Sequence, residues 1–185
     1  MRLHFNEAKA TEAAARLIEL RGGKMSYMKL IKLLYLADRE ALLRWGRPIT
    51  TDRYVSMDHG PVVSNVYELI RAEPQPGRGQ YWRRFVSAPD GDFDVSFLAI
   101  PEPAELSQAE DLLLREIFAL HGAKTRWQLR DFCHTLSEWQ DPEGGAIAIE
   151  YHDILQAVGK TPAEIAAVEQ ELDTLAMADA LMAPV

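Results

Sequence analysis

Asp38 is the first residue whose placement calls for chemistry. It falls beside Leu34 and Trp45, inside the apolar arc of the segment Ser26 to Trp45, SYMKLIKLLYLADREALLRW. A carboxylate there must find a partner, because an isolated buried charge is too costly. Either an Arg, a Tyr or a backbone amide holds it and so fixes the following loop, or it is a catalytic carboxylate. Asp58-His59-Gly60-Pro61 offers a carboxylate and an imidazole ahead of an expected helix start. Such a pair suits acid–base work, anion binding or a partner contact; the structural alternative is a braced loop that needs Gly60 for its backbone. An enzyme built from Asp38, Asp58 and His59 requires all three in one open pocket with mutually perturbed pKa values. Tyr81-Trp82-Arg83-Arg84 interleaves aromatics with cations, as protein interfaces do and as single-stranded nucleic-acid sites do. The same run also suits a hairpin face packed on the body.

Other chemistries are poorly supported. Gly22-Gly23 and Gly144-Gly145 lack the spacing and the following Lys-Ser/Thr of a phosphate loop. There is no G-x-S-x-G elbow and no H-E-x-x-H. The five histidines form no metal-ligand spacing. Cys133 and His134 are adjacent, so on a helix they point about 100° apart, and Cys133 falls on the buried face. We therefore expect no catalytic, cofactor-binding or metal-ligating residues.

The elements that must position these groups follow from periodicity. On the Ser26–Trp45 helix, Leu30, Leu34, Ala37, Ala41 and Trp45 share one face, which Ile31, Tyr35, Leu42 and Leu33 widen. Only Lys29, Lys32, Leu36, Arg39, Glu40 and Leu43 are left for solvent, so the helix is central. Gly46 and Pro48 end it. Asn6 caps an earlier helix with Ala10, Ala13, Ala14, Leu17 and Ile18 on its inner side. Arg53 to Met57 alternates like a strand, and Gly60-Pro61 looks like a helix start. Tyr81–Ser87 and Asp94–Ile100 read as a hairpin around Pro89-Asp90-Gly91-Asp92. Beyond the Pro101/Pro103 junction, Ser107–Glu110 and Thr125–Gln128 are capping boxes. The first opens a helix with Leu112, Leu113, Ile117 and Leu120 inward. The second opens one through Leu129, Phe132, Cys133 and Leu136. Ile147 to Val158 is apolar, ambiguous at its start and helical through Tyr151, Ile154 and Leu155. Thr161-Pro162-Ala163-Glu164 starts a last helix whose seam of Ile165, Val168, Leu172, Leu175 and Met182 docks on the domain.

The expected fold is α+β and mainly α-helical. It is one domain over residues 1–185, a central buried helix among helices, with a hairpin at about 80–100 and acidic helices over 107–182. At 185 residues and 48% hydrophobic, the chain suits a real core. It has no membrane-spanning run, and its one cysteine fits a reducing cytoplasm. Residues 1–100 carry 15 Lys+Arg against 12 Asp+Glu, whereas residues 101–185 carry 5 against 16. That acidic half disfavours nucleic acid and suits either a basic protein partner or simple solubility. The sequence leaves the oligomeric state open.

One combination of blocks goes further. Lys29-Leu-Ile-Lys-Leu-Leu-Tyr-Leu-Ala-Asp-Arg39, Gly46-Arg-Pro-Ile-Thr50, Asp52-x-Tyr54 and His59-Gly-Pro-Val62, in that order and spacing, resemble the Panacea-domain family of SocA-like antitoxins. Leu129 and His134, with Trp139 downstream, resemble its second half; Ser56 stands where a smaller residue is expected. The resemblance implies a helical fold with a small sheet and a role as the neutralising partner in a bacterial or phage toxin–antitoxin pair. It brings no catalytic residues or cofactor. It also marks Lys29, Leu33, Tyr35, Asp38, Arg39, Gly46, Pro48, Asp52, Tyr54, His59, Gly60 and Pro61 as structural. The implied partner is a cognate toxin, of unspecified identity because family toxins are diverse. An ATP-dependent protease joins it if the chain acts as a proteolytic adaptor, as part of the family does. Tyr81, Trp82, Arg83 and Arg84 are then the candidate partner contacts. A DNA-binding role is disfavoured, since no basic recognition helix is visible.

Overall fold

The computed structural model describes residues 3–91, 93–99, 101–102 and 105–182. Asp92, Ile100 and Pro103, named above, and the side chain of Met182 lie outside the described residues. The first helix, α1 (Glu7–Leu20), starts where the Asn6 side chain accepts a bond from Lys9 N (2.9 Å) and runs to the Gly22 turn. Its inner side is Ala10, Ala13, Ala14, Leu17 and Ile18, all fully buried. Small alanines allow close approach to α2 (Tyr27–Trp45), the central helix. A short strand, β1 (Lys24–Ser26), joins the two. Ser26 stands at the N-cap of α2, but its side chain makes no capping bond; Tyr27 N donates instead to Phe93 O (2.8 Å). At the other end Gly46 adopts φ 71, as a left-handed cap requires.

Burial of α2 exceeds the expected arc. Lys29, Lys32 and Leu36 are buried, not solvent-facing. The reason is that α5 (Gln108–His121), α6 (Arg126–Cys133) and a strand all pack on the side that α1 leaves free. That strand is β3 (Gly60–Val63), so the expected helix start at Gly60-Pro61 is corrected. It pairs antiparallel with β2 (Tyr54–Met57), and α3 (Ser64–Arg71) begins only at Ser64. The third strand, β5 (Ile147–Ile149), pairs with β2 from Tyr54↔Ile149 to Ser56↔Ile147. The ambiguous start of the run Ile147 to Val158 is thus β5, and its expected helix is α7 (Tyr151–Ala157).

The expected hairpin at about 80–100 is also corrected. Trp82–Phe85 is a helical turn, α4, whose approach is held by Glu7: its carboxylate accepts from Gly79 N and Trp82 N at 2.9–3.1 Å. Helical spacing lets Trp82 and Phe85 both face the core. β4 (Asp94–Ser96) forms its ladder with β1. Of the hairpin, among the described residues, the bridges Val86↔Phe97 and Asp90↔Asp94 remain, with Ser87 N donating to Ser96 O (2.9 Å) and Leu98 N to Phe85 O (2.8 Å).

Both capping boxes form. On α5 the buried residues are Leu113, Leu114 and Ile117, while Leu112 and Leu120 are exposed. Among the described residues, four ion pairs join the basic first half to the acidic second: Lys9–Glu110 (3.1 Å), Arg16–Asp111 (2.5 Å), Arg39–Glu138 (2.6 Å) and Arg44–Glu116 (2.8 Å). The last helix, α8 (Pro162–Met182), docks through Ile165 and Leu172 and packs on α7. Among the described residues, no helix is long and apolar enough to cross a membrane.

Two substitutions in α4 separate packing from surface. Trp82→Ala should lower stability by about 3–5 kcal/mol in urea titration, as loss of a fully buried large aromatic does. Arg84→Ala, two residues on and exposed, should change it by less than about 0.5 kcal/mol.

Candidate functional site

Asp38 is fully buried and fully engaged. Its Oδ1 accepts from Ile49 N (2.9 Å) and Thr50 N (2.8 Å). Its Oδ2 accepts from Tyr54 OH (3.0 Å) and from the Thr50 hydroxyl. After the left-handed Gly46, the chain doubles back through Pro48 so that two backbone amides point at the helix it has just left. Thr51 takes φ 52, and its hydroxyl donates to His4 O (2.6 Å). Tyr54 is packed edge-on against Tyr35, with centroids 5.3 Å apart. Burial pushes the Asp38 carboxyl up to about 7, against the pull of its four donors. It also raises the Tyr54 hydroxyl well above its ordinary value.

Asp52 does a related job one step along. Its carboxylate accepts from Asn65 N (2.8 Å) and Val66 N (3.0 Å), the free amides of the first turn of α3. It thus caps a helix whose own N-cap residue, Val63, has no side-chain acceptor. Burial raises its carboxyl as well.

Three further polar side chains of α2 reach elsewhere. Lys29 Nζ donates to Gly122 O (2.5 Å) and Lys124 O (2.7 Å), the carbonyls at the end of α5. Lys32 Nζ donates to Pro61 O (2.7 Å) on β3, and burial lowers its amine to about 8. Arg39 Nε donates to Glu138 Oε1 (2.6 Å), which also accepts from Tyr35 OH (3.0 Å). Leu33, between these residues, is fully buried core. Gly60 sits against Lys32: it has φ 91, and a Cβ there would lie 3.2 Å from Lys32 Cε and 3.4 Å from His134 Cδ2.

Asp58 and His59 are the two turn residues between Met57 and Gly60. Both are exposed. Asp58 Oδ1 accepts from Gly144 N (3.0 Å), and His59 stands edge-on to Trp127 at 5.9 Å. Asp38 meets β2 at its opposite end, through Tyr54; four residues of strand span roughly 13 Å. The three groups of the enzymatic reading are therefore not brought together. Cys133 is buried and its thiol is pushed up to about 12, which removes the thiolate a nucleophile needs. His134 stacks on Trp139 at 3.9 Å. Among the described residues, no three His, Cys, Asp or Glu side chains are grouped to hold a metal.

The four proposed partner contacts separate. Trp82 is buried, and Arg83 donates to Ile70 O (2.9 Å), Ala72 O (3.1 Å) and Ser87 O (3.0 Å), closing the end of α3. Tyr81 is half-buried, and Arg84 lies exposed over the Tyr81 and Phe85 rings. Two features escaped sequence reasoning. Glu138 is one; its signal was that Arg39 has no carboxylate at i±3 or i±4, where Tyr35, Leu36, Leu42 and Leu43 stand, so its partner had to come from outside the helix. The other is an aromatic surface around Trp127, half hidden in the Arg126-Trp127 pair at the start of α6.

The Asp38 centre yields a pH test with a definite sign. A carboxyl whose folded value lies above its unfolded one contributes most below about pH 4, and that contribution is lost as pH rises towards 7. The stability of the wild type relative to Asp38→Asn should therefore fall between pH 4 and 7.5, by up to roughly 4 kcal/mol, and level off above. Asp38→Ala, which strands two amides and two hydroxyls, should cost on the order of 3–5 kcal/mol at neutral pH. Urea titrations across that range measure both.

No curated protein and no solved structure matches the chain. A family model, antitoxin SocA-like, Panacea domain, matches residues 30–140. The matched stretch begins in α2 and ends just past Glu138, so it contains the Asp38, Asp52, Lys32 and Arg39 contacts complete. Ser56, the one departure from the expected pattern, is buried and accepts from Gln140 N (3.2 Å). The match covers more than half of the sequence, and the chain belongs to the SocA-like antitoxin family defined by the Panacea domain.

Proposed function

We propose that this chain is the antitoxin of a bacterial or phage toxin–antitoxin pair, and that it neutralises its cognate toxin protein in the cytoplasm by direct binding. Family membership supplies the toxin partner in general terms. The observation that carries the binding mechanism is the disposition of the signature residues. Lys29, Lys32, Asp38, Arg39 and Asp52 all hold neighbouring segments of the fold. A domain whose buried ionisable groups are engaged in holding backbone is suited to presenting a rigid surface. Delivery of the bound toxin to an ATP-dependent protease is a finer mode of the same recognition step.

Expression of the adjacent open reading frame with and without this chain tests the proposal. The neighbour alone should arrest growth, and this chain should restore it and co-purify with the neighbour as a stable complex. Rescue that disappears in a host lacking the protease would assign the adaptor mode, in which the toxin is lost and not masked. A harmless neighbour that does not co-purify would sink the antitoxin reading.

A further inference from the structure

Around the β2–β3 turn, aromatic rings and arginines form a continuous surface. Arg71 lies over Tyr67 (5.7 Å), and its Nη1 donates to Tyr27 OH (3.4 Å). Tyr27 contacts Tyr67 (6.5 Å) and Phe93 (6.2 Å). Arg126 bridges Phe93 (4.5 Å) and Trp127 (5.1 Å), and Arg130 lies over Trp127 (5.0 Å). His59 closes the arc against Trp127. Phe93 and Trp127 are 39% and 44% exposed, a large apolar area to leave in water without a role. Within the arc is a recess of about 190 Å³, with apolar walls from Tyr27, Met28, Ile31, Met57, Val62 and Tyr67 and a polar lining that includes Lys32, Asp58 and His59. That is the scale of a cavity that accepts a benzene ring, about 150 Å³.

This face holds two arginines without a carboxylate partner among the described residues, beside Arg130, which pairs with Asp131 (2.5 Å), and the exposed Asp58. The chain carries −8, yet these two, Arg71 and Arg126, are held by rings. Trp, Tyr and Arg are the residue types that dominate binding hot spots. Thioether side chains, such as those of Met28 and Met57, adapt to whichever apolar group enters. The backing is rigid, because Lys32 ties β3 to α2 and the Asp58 carboxylate holds Gly144 beside the recess. A surface already set in place loses little ordering entropy on binding.

We infer that this face is the toxin-docking surface, and that it takes an acidic segment of the toxin whose carboxylates meet Arg71 and Arg126 while an apolar side chain enters the recess beside Trp127. The inference rests on the antitoxin reading and adds to it the location and the chemistry of the partner.

The test uses the full chain and the product of the adjacent reading frame, with affinity from calorimetry and growth rescue as parallel readouts. Trp127→Ala should weaken binding at least 30-fold, and Arg126→Glu more, with rescue lost in both. The melting temperatures should stay close to the wild-type value, since Trp127 is exposed and Arg126 is only half-buried, against rings at the surface. Wild-type affinity should fall as NaCl rises from 50 to 300 mM, and Arg126→Glu should flatten that dependence. Met177→Glu, on the exposed side of α8, should bind as the wild type does. If the wild type rescues and both face variants rescue equally well, the surface assignment is overturned while the antitoxin reading stands. If Met177→Glu alone loses binding, the surface lies on α8 and the assignment is likewise overturned. If the wild type neither binds nor rescues, both readings fail. Retention of a labelled single-stranded oligonucleotide by the wild type but not by Arg126→Glu would reassign the face to nucleic acid and overturn the protein partner.

Discussion

A charged side chain enters a protein interior only when something there satisfies it, and α2 carries four such residues. Lys29, Lys32, Asp38 and Arg39 project in different directions from one helix, and each ends on a different part of the chain. Lys29 holds the end of α5, Lys32 holds β3, and Asp38 holds the loop over 49–54. Arg39, with Tyr35, holds Glu138. Apolar packing alone would put these segments near α2 without fixing their register, because hydrophobic contact is non-directional. Hydrogen bonds to named backbone atoms fix it. The β2–β3 turn and the start of α6 are thereby set beside each other, and the aromatic surface depends on that juxtaposition.

The uneven charge along the sequence acquires a structural meaning from the same packing. A basic first half and an acidic second half suited either a basic partner or simple solubility. In the fold, Lys9, Arg16, Arg39 and Arg44 meet Glu110, Asp111, Glu138 and Glu116, so much of the imbalance cancels between α1, α2 and the segments packed on them. Pairs at the surface contribute little to stability individually. Their effect here is to leave the net charge a poor guide to any one face, and the face around Trp127 holds two arginines without a carboxylate partner among the described residues.

Much of this was legible in the sequence, and the failures have physical causes. Strong local signals held: the apolar arc of α2, the Gly46 stop, the two capping boxes, and a buried Asp38, whose partner the sequence left open among an Arg, a Tyr and a backbone amide. Failures came where a non-local partner decided the outcome. Gly60-Pro61 carries a helix-start signature, but Lys32 from α2 and pairing with β2 place it in a strand. Tyr81–Ser87 alternates like a strand, yet Glu7 gathers the amides of Gly79 and Trp82, and Trp82–Phe85 forms a helical turn. Lys29 and Lys32 looked solvent-facing because a helical wheel does not show which carbonyls another element will bring. Of the candidate site, the structural residues were visible as a motif. The Trp127 surface was not, since its rings come from five separate segments.

Lys29 and Lys32 hold their neighbours through carbonyl oxygens alone, and Asp38 does so partly through amide hydrogens. Those atoms are present whatever side chain stands at the position. The segments gripped in this way keep their place in space while remaining free to change residue type, so long as the backbone can take the same path. A scaffold anchored by its main chain can therefore alter the surface it offers without altering its frame, and the same helix could support recognition of chemically unrelated proteins.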